Sequence, residues 1–286
     1  MTRTLLIIGG SGYLGSRLVI QAQTPWHVVA TYYSNPPSSP ECQMLSLDIR
    51  DAAAVARLMI DLRPHVVIHT AAIMSPLQAM QEVIVAGTGH VAAQCAAVGS
   101  HLLHLSTDAL FDGEHGPYLE TDPPSPITPY GKAKAAAEQS VADICPGATI
   151  VRTSLIYGFD PPDPRTVWVL DSVRQGQSIT LFTDEVRCPV WVDQLASALL
   201  ELAWTERGGM WHLAGPQPLT RYEFGERLVN LYGLDPAGIT PGLSRESGQI
   251  RPRDCRLDPG KAQVQLRSPL WGVDRVLRHA GPQAIG

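Results

Sequence analysis

The sequence predicts an α/β fold, a doubly wound parallel sheet with a smaller mixed lobe drawn from the C-terminal part of the chain. Three observations carry this. Apolar runs of strand length alternate with helix-period segments through about residue 154. The runs are continuous and not alternating, as in strands covered on both faces. A glycine-rich stretch, "GGSGYLG" (9–15), joins the first run to the first helix.

Taken in order, "RTLLIIGG" (3–10) is the first strand, and a helix follows from Tyr13 to about Gln23. "HVVATYY" (27–33) and "MLSLDI" (44–49) are the second and third strands. "AAAVARLMIDLRP" (52–64) has helical spacing, begins after a capping Asp51 and stops at proline. "HVVIHTAA" (65–72), a helix around 77–98 and "HLLHLST" (101–107) continue the alternation, followed by the helix that opens at "TPYGKAKAAAE" (128–138) and the strand "ATIVRTS" (148–154). Beyond this the rhythm weakens. "YGFDPPDPR" (157–165) takes the chain away from the sheet. Helices at "DQLASALLELAW" (193–204), with Asp193 as its cap, and "YEFGERLVNLYG" (222–233) flank a strand at "GMWHLAG" (209–215).

Bulk properties exclude several classes. With 286 residues, 44% apolar and 17% charged, the chain has an ordinary globular composition. A net charge of −5 with no basic run gives no electrostatic footing for nucleic acid. No apolar run reaches membrane length, and residues 1–10 enter a strand directly, leaving no room for a signal sequence. Five scattered cysteines without a CxxC read as reduced thiols of a cytoplasmic protein. The nine histidines are dispersed and no HExxH occurs, so no metal is expected.

In the glycine stretch, Gly9, Gly12 and Gly15 let the backbone turn tightly and approach a pyrophosphate, which the helix N-terminus favours with free N–H groups and positive potential. At a first β–α junction this is a dinucleotide site of Rossmann type. The expected division is a dinucleotide-binding domain over 1–155, with 186–215 returning to it, and a substrate lobe made of 156–185 and 216–286. The second strand ends in "ATYYSN", with neither the acid that would bind the ribose diol of NAD nor an arginine. NADP(H) is therefore preferred, with Ser34 and Arg17 as the candidate contacts, and NAD(H) stays open. Asp48 in "LDIRD" is placed to meet the adenine.

Tyr130 and Lys134 lie four apart at the start of a helix and so share a face. A free tyrosine has a pKa of about 10 and is a poor acid or base at neutral pH. A nearby ammonium favours its phenolate and suits it to proton transfer with a carbonyl oxygen. Taken alone, YxxxK is more often a solvated helix face. The stretch "LSTDALFDG" (105–113) changes that balance, because it ends a buried strand and offers Thr107 to the same substrate oxygen. His104, in that strand, reads as a satisfied core histidine, and Trp168, Trp191 and Trp211 as core or interface residues.

The segments "GGSGYLG", "RPHVVIHTAA", "STDALFDG", "PYLETDPPSPITPYGKAKAAAE", "VRTSLIYG" and "RPRDCRLDPGKA" together resemble the extended short-chain dehydrogenases/reductases, and within them the dTDP-4-dehydrorhamnose reductase group. The resemblance spans residues 4 to about 262. It implies a catalytic triad of Thr107, Tyr130 and Lys134. It implies cofactor contacts from Gly9, Gly12, Tyr13, Leu14, Gly15, Asp48, Ile49, Ala71 and Ala72, with Tyr130 and Lys134 also at the nicotinamide. Substrate contacts would come from Thr107, Asp108, Ala109, Arg187 and Arg251, and the family suggests a homodimer. The implied activity is reduction of a nucleotide-linked 4-keto-6-deoxysugar, as in dTDP-rhamnose biosynthesis. Three departures fall beside the substrate or the helix behind it. Tyr-Val after "STD" becomes Ala109-Leu110, an asparagine becomes Ile84, and "DQxGxPT" reads "DEVRCPV" (184–190). Two other functions remain open, a sugar-nucleotide epimerase or dehydratase that recycles bound NAD, and a non-catalytic NADP-binding regulatory subunit.

Overall fold

A computed structural model of the chain describes residues 2–22, 25–37 and 41–280. The strands of the first half are β1 (Arg3–Ile8), β2 (Trp26–Tyr32), β3 (Gln43–Ser46), β4 (Val66–His69), β5 (His101–Thr107) and β6 (Thr149–Thr153). The second half adds β7 (Ile156–Tyr157), β8 (Ile179–Phe182), β9 (Val186–Arg187), β10 (Val190–Trp191), β11 (Gly209–Leu213), β12 (Leu219–Thr220) and β13 (Ile239–Gly242). One seven-stranded sheet has the order β11-β6-β5-β4-β1-β2-β3, and every pairing in it is parallel.

Alternate residues of β1 explain why helices cover both faces, since successive side chains of a strand point opposite ways. Leu5 and Ile7 enter a core with Leu14 and Leu18 of α1 (Tyr13–Gln21). Leu6 and Ile8 enter another with Val55 and Met59 of α2 (Ala52–Leu62). Asp51 caps α2, accepting from the amides of Ala53 and Ala54.

The expected helix over 77–98 is one helical run in three parts, α3 (Leu77–Met80), a more widely wound stretch Gln81–Gly87, and α4 (Thr88–Val98). Such widened turns recur at functional sites. Here Ile84 packs against Ala133 and Ala137 of α5 (Pro129–Ile144). Apolar packing thus replaces the polar bond that the family's asparagine would make. The fourth strand is shorter than the run "HVVIHTAA", because Thr70, Ala71 and Ala72 leave the sheet to line a cavity.

After α5 the chain forms α6 (Pro164–Arg174), α7 (Val192–Thr205), α8 (Arg221–Leu231), α9 (Gly260–Gln265) and α10 (Val273–Ala280). Leu195, Leu199 and Leu202 of α7 pack in the core that holds α1. Trp191, not Asp193, precedes the first turn of α7, and the Asp193 carboxylate accepts from Gln21 of α1. Within 186–215, α7 and β11 lie on or in the large sheet, whereas β9 pairs with β12 and β10 with β7. The pairs β8–β13, β10–β7 and β12–β9 and helices α6 and α8 surround two smaller cores, one around Tyr157 and Phe224, the other around Val169, Ile179 and Val229.

Candidate active site

In the order β3-β2-β1-β4 the direction in which successive strands are added reverses beside β1, and a cavity of about 460 Å³ opens there at the carboxyl ends of the strands. Gly9 sits at φ +91°, a conformation open to glycine. A methyl group at Gly15 would overlap the Gly9 carbonyl oxygen, so the first turn of α1 is drawn close to the strand end. Gly12 precedes that turn, no side chain caps it and no acid lies within it. The N–H groups of that turn are therefore open to an anion without competition from a cap or an acid. Tyr13, Leu14, Ala71 and Ala72 line the same cavity.

The far end of the cavity corrects two expectations. Ser34 is exposed and does not line it. Arg17 lies with its Nε 3.4 Å from Asp193, engaged with α7. The cationic group present is Arg50, which follows Asp48 and Ile49 after β3. It donates to both Asp48 oxygens and to the Tyr33 hydroxyl (2.7 Å), and its guanidinium stands 5.3 Å over the Tyr33 ring. The hydrogen bonds from Arg50 hold the Asp48 carboxyl below its ordinary pKa, against the opposing effect of burial.

At the other end, Thr128 caps α5 by accepting from Gly131 (3.1 Å), and Pro129 occupies the first turn. This cap sets Tyr130 at the cavity wall and Lys134 one turn deeper, where it is only 3% exposed. Burial first and the Asp108 charge second push the Tyr130 phenol up to about 12, opposed by Arg165 and by a hydrogen bond with Thr107. Lys134 is drawn down to about 8 by burial, with Glu138 opposing. Its ammonium donates to the Leu105 carbonyl (2.6 Å). Tyr130 is thus a protonated phenol at neutral pH, the form a proton donor needs. Thr107 ends β5, and Asp108 beneath it accepts from Ser154 (2.6 Å).

A second cavity of about 560 Å³ lies between α6 and α8, lined by Arg165, Arg221, Arg251, Trp168, Phe182 and Phe224 among others. Ile156 lines the first cavity and Leu155 the second, so adjacent residues of the chain separate the two. Trp168, read as a core or interface residue, is 52% exposed at this wall and so is not in the core, whereas Trp211 is buried. Glu185, fully buried, lies within ion-pair distance of Arg187, Arg221 and Arg251. Burial together with the charges of Arg187 and Arg165 pulls Arg221 down to about 10. The cluster is crowded with positive charge and favours an added anion.

Of the expected substrate contacts, only Arg251 lines this cavity. Arg187 is buried, donating to the carbonyls of Val186, Pro252 and Arg253 and standing 3.7 Å from Asp108. It clamps the segment that carries Arg251 in place of offering its own charge. Thr107, Asp108 and Ala109 line neither cavity, and Leu110 is in the core with Phe111 and Tyr118. Sequence reasoning missed Arg50, Arg165, Arg221 and Glu185. Arg50, two residues beyond the acid in "LDIRD", was the readable one. Among the described residues no group of histidine, cysteine or acidic side chains is arranged to hold a metal, and no helix is long and apolar enough to cross a membrane.

The chain is similar to known proteins over most of its length. A probable low-salt glycan biosynthesis reductase, Agl14, of Haloferax volcanii is 32% identical over 274 residues, covering 91% of each chain. Methionine adenosyltransferase 2 subunit beta of Rattus norvegicus is 30% identical over 279 residues, covering 92% of this chain and 82% of that one. A crystal structure of a hypothetical dTDP-4-dehydrorhamnose reductase from Sulfolobus tokodaii superimposes with a TM-score of 0.84 at 27% identity, covering 96% of this chain and 99% of the other. A dTDP-4-dehydrorhamnose reductase from Bacillus anthracis in complex with NADP shares the fold, with a TM-score of 0.82 at 24% identity, covering 98% of each chain. The model of the RmlD substrate binding domain matches residues 3–276, and the chain belongs to that family.

Proposed function

We propose that the protein is an NAD(P)H-dependent reductase of a nucleotide-linked 4-keto-6-deoxysugar. The observation that carries this is a protonated Tyr130 at the wall of a dinucleotide-sized cavity, with an arginine-lined cavity across residues 155–156. The residues fit a dinucleotide: Gly15 leaves room that a Cβ would fill, and the uncapped start of α1 awaits an anion. When bound, the reduced cofactor supplies hydride to the carbonyl carbon. Tyr130 gives its proton to the carbonyl oxygen, Thr107 orients that oxygen, and the resulting phenolate is reprotonated from solvent. Lys134 lies close behind Tyr130 and holds positive charge near the developing phenolate. Arg165, Arg221 and Arg251 hold the diphosphate, and the exposed Trp168 face offers a surface for the base.

On this reading, NADP(H) is preferred through Arg50. The dinucleotide domain is 1–155 with α7 and β11, and 156–185 with 216–286 forms the substrate lobe. A second reading, a dinucleotide-binding subunit of another enzyme, is favoured by the likeness to methionine adenosyltransferase 2 subunit beta. Cofactor absorbance separates the two, using NADPH and NADH with a panel of nucleotide-linked 4-keto-6-deoxysugars. Sugar-dependent oxidation that is lost in Tyr130→Phe supports the reductase. Dinucleotide binding with no oxidation on any sugar overturns it.

A further inference from the structure

Two imidazoles stand behind Lys134. His69 of β4 and His104 of β5 are partners in register, fully buried, with ring centroids 5.4 Å apart. His104 Nε2 is 3.4 Å from Lys134 Nζ, and His69 Nε2 is 3.1 Å from Thr88 Oγ1. Neither Nδ1 has a hydrogen-bond partner. Burial and the Lys134 charge hold both rings neutral, His69 down to about 3 and His104 well below its ordinary value.

Buried polar atoms without partners are rare, and apolar side chains would be more stable in this place. Two orphaned nitrogens in one contact pair therefore point to a task. They do not form a path for protons to solvent, because the chain ends at Thr88, itself buried. An ammonium can only donate, so His104 Nε2 must be the acceptor and its proton must sit on Nδ1.

We propose that His104, backed by His69, is a positioning residue that sets the proton affinity of Lys134. The groups facing Lys134 are Tyr130 and Glu138 of α5, His104 with the Leu105 carbonyl on β5, and His69 on β4. Glu138 is itself tied to Arg152 of β6. Glu138 supports the charged lysine from one side and His104 from another. Without the imidazole acceptor, the lysine loses a hydrogen bond that is stronger in its charged form than in its neutral one. The role of Lys134 beside Tyr130 rests on the reductase reading; its coupling to His104 does not.

The chain contains three lysines, Lys132, Lys134 and Lys261, so selective ¹³C labelling at the ε carbon resolves each titration by NMR. In the unmodified protein Lys134 should titrate below its ordinary value, at about 8. In His104→Phe it falls by about 1–2 pH units, while Lys132 and Lys261 keep their titrations. His104→Gln, whose amide oxygen can accept, recovers much of the shift, and the alkaline limb of kcat/KM moves with Lys134 across the series. An unchanged Lys134 titration in folded His104→Phe overturns the proposal. Should that variant not fold, ¹⁵N imidazole spectra of the unmodified protein decide it: a proton on Nδ1 of His104 supports the assignment, and a proton on Nε2 overturns it. Absence of sugar reduction would remove the reductase reading and leave this titration to be judged alone.

Discussion

The cavity at the glycine loop is walled mainly by backbone and by small or apolar side chains, whereas the cavity between α6 and α8 gathers three arginines near a buried glutamate. The first makes its anion site from unpaired N–H groups at the start of α1, which exist whatever the neighbouring side chains are. The second groups guanidinium side chains, two of which, Arg221 and Arg251, are paired with the buried Glu185. Recognition of a common cofactor fits the first construction, and choice among substrates fits the second.

The largest effect should come where the two cavities meet. Tyr130→Phe removes the proton donor and should lower turnover by about 10²–10⁴-fold while leaving dinucleotide affinity nearly unchanged. Steady-state rates beside a fluorescence binding titration check this, and loss of binding would show that the Tyr130 hydroxyl serves to hold the dinucleotide and not only to donate a proton.

Next is the pillar of the second cavity. Glu185→Ala leaves the buried Arg187 without a carboxylate it now has and should cost about 3–5 kcal/mol of stability by denaturant unfolding. Burial alone would push the Glu185 carboxyl up, but the Arg251 hydrogen bond and the charges of Arg187 and Arg251 hold it below its ordinary value of 4.5. Its folded pKa is therefore lower than its unfolded one. The stabilisation is complete above the unfolded value and is lost as pH falls through the folded one. Glu185→Gln should accordingly flatten the acid limb of a stability–pH curve, and an unchanged limb would deny Glu185 this role.

The first cavity should respond to volume in place of charge. Gly15→Ala should cost about 1–3 kcal/mol and weaken dinucleotide binding, because the methyl group must displace the Gly9 carbonyl. Calorimetric affinity checks this, and tight binding in the variant would remove the loop from the cofactor site. The smallest effect is expected at Arg50. Arg50→Ala should reduce any preference for NADPH over NADH by about tenfold, on the order of one charge-assisted hydrogen bond. An unaltered ratio would leave cofactor choice to groups other than Arg50.

Parts held by short-range pattern were legible. β5 spans the residues of its apolar run, and Asp51 caps a helix from the position next to it. Tyr130 and Lys134 share a face because helix periodicity places them there. Contacts between distant segments were not legible. Arg50 reaches Tyr33 across 17 positions, and Glu185 meets Arg251 across 66. Nothing local distinguishes a buried hub such as Glu185 from a solvated acid. Asp193 looked like a cap because an acid before an apolar helix usually is one, yet tertiary contact with Gln21 and Arg17 claimed it instead. His104 was rightly read as buried but not as unsatisfied, since orphaned nitrogens depend on which side chains fail to arrive.

The late arrival of β11 has a consequence for how the protein is made. β6 is buried at every position and is flanked by β5 on one side and β11 on the other. Between β6 and β11 the chain must thread α6, four short strands and α7. A fragment ending at residue 155 would hold nearly every cofactor contact and still present β6 as a bare apolar strand edge, a template for pairing with other chains. During synthesis the same edge waits, uncovered, until about residue 213 has emerged. Excising the first lobe for separate expression should therefore give aggregates, and a shortened form that stays dispersed must keep β11.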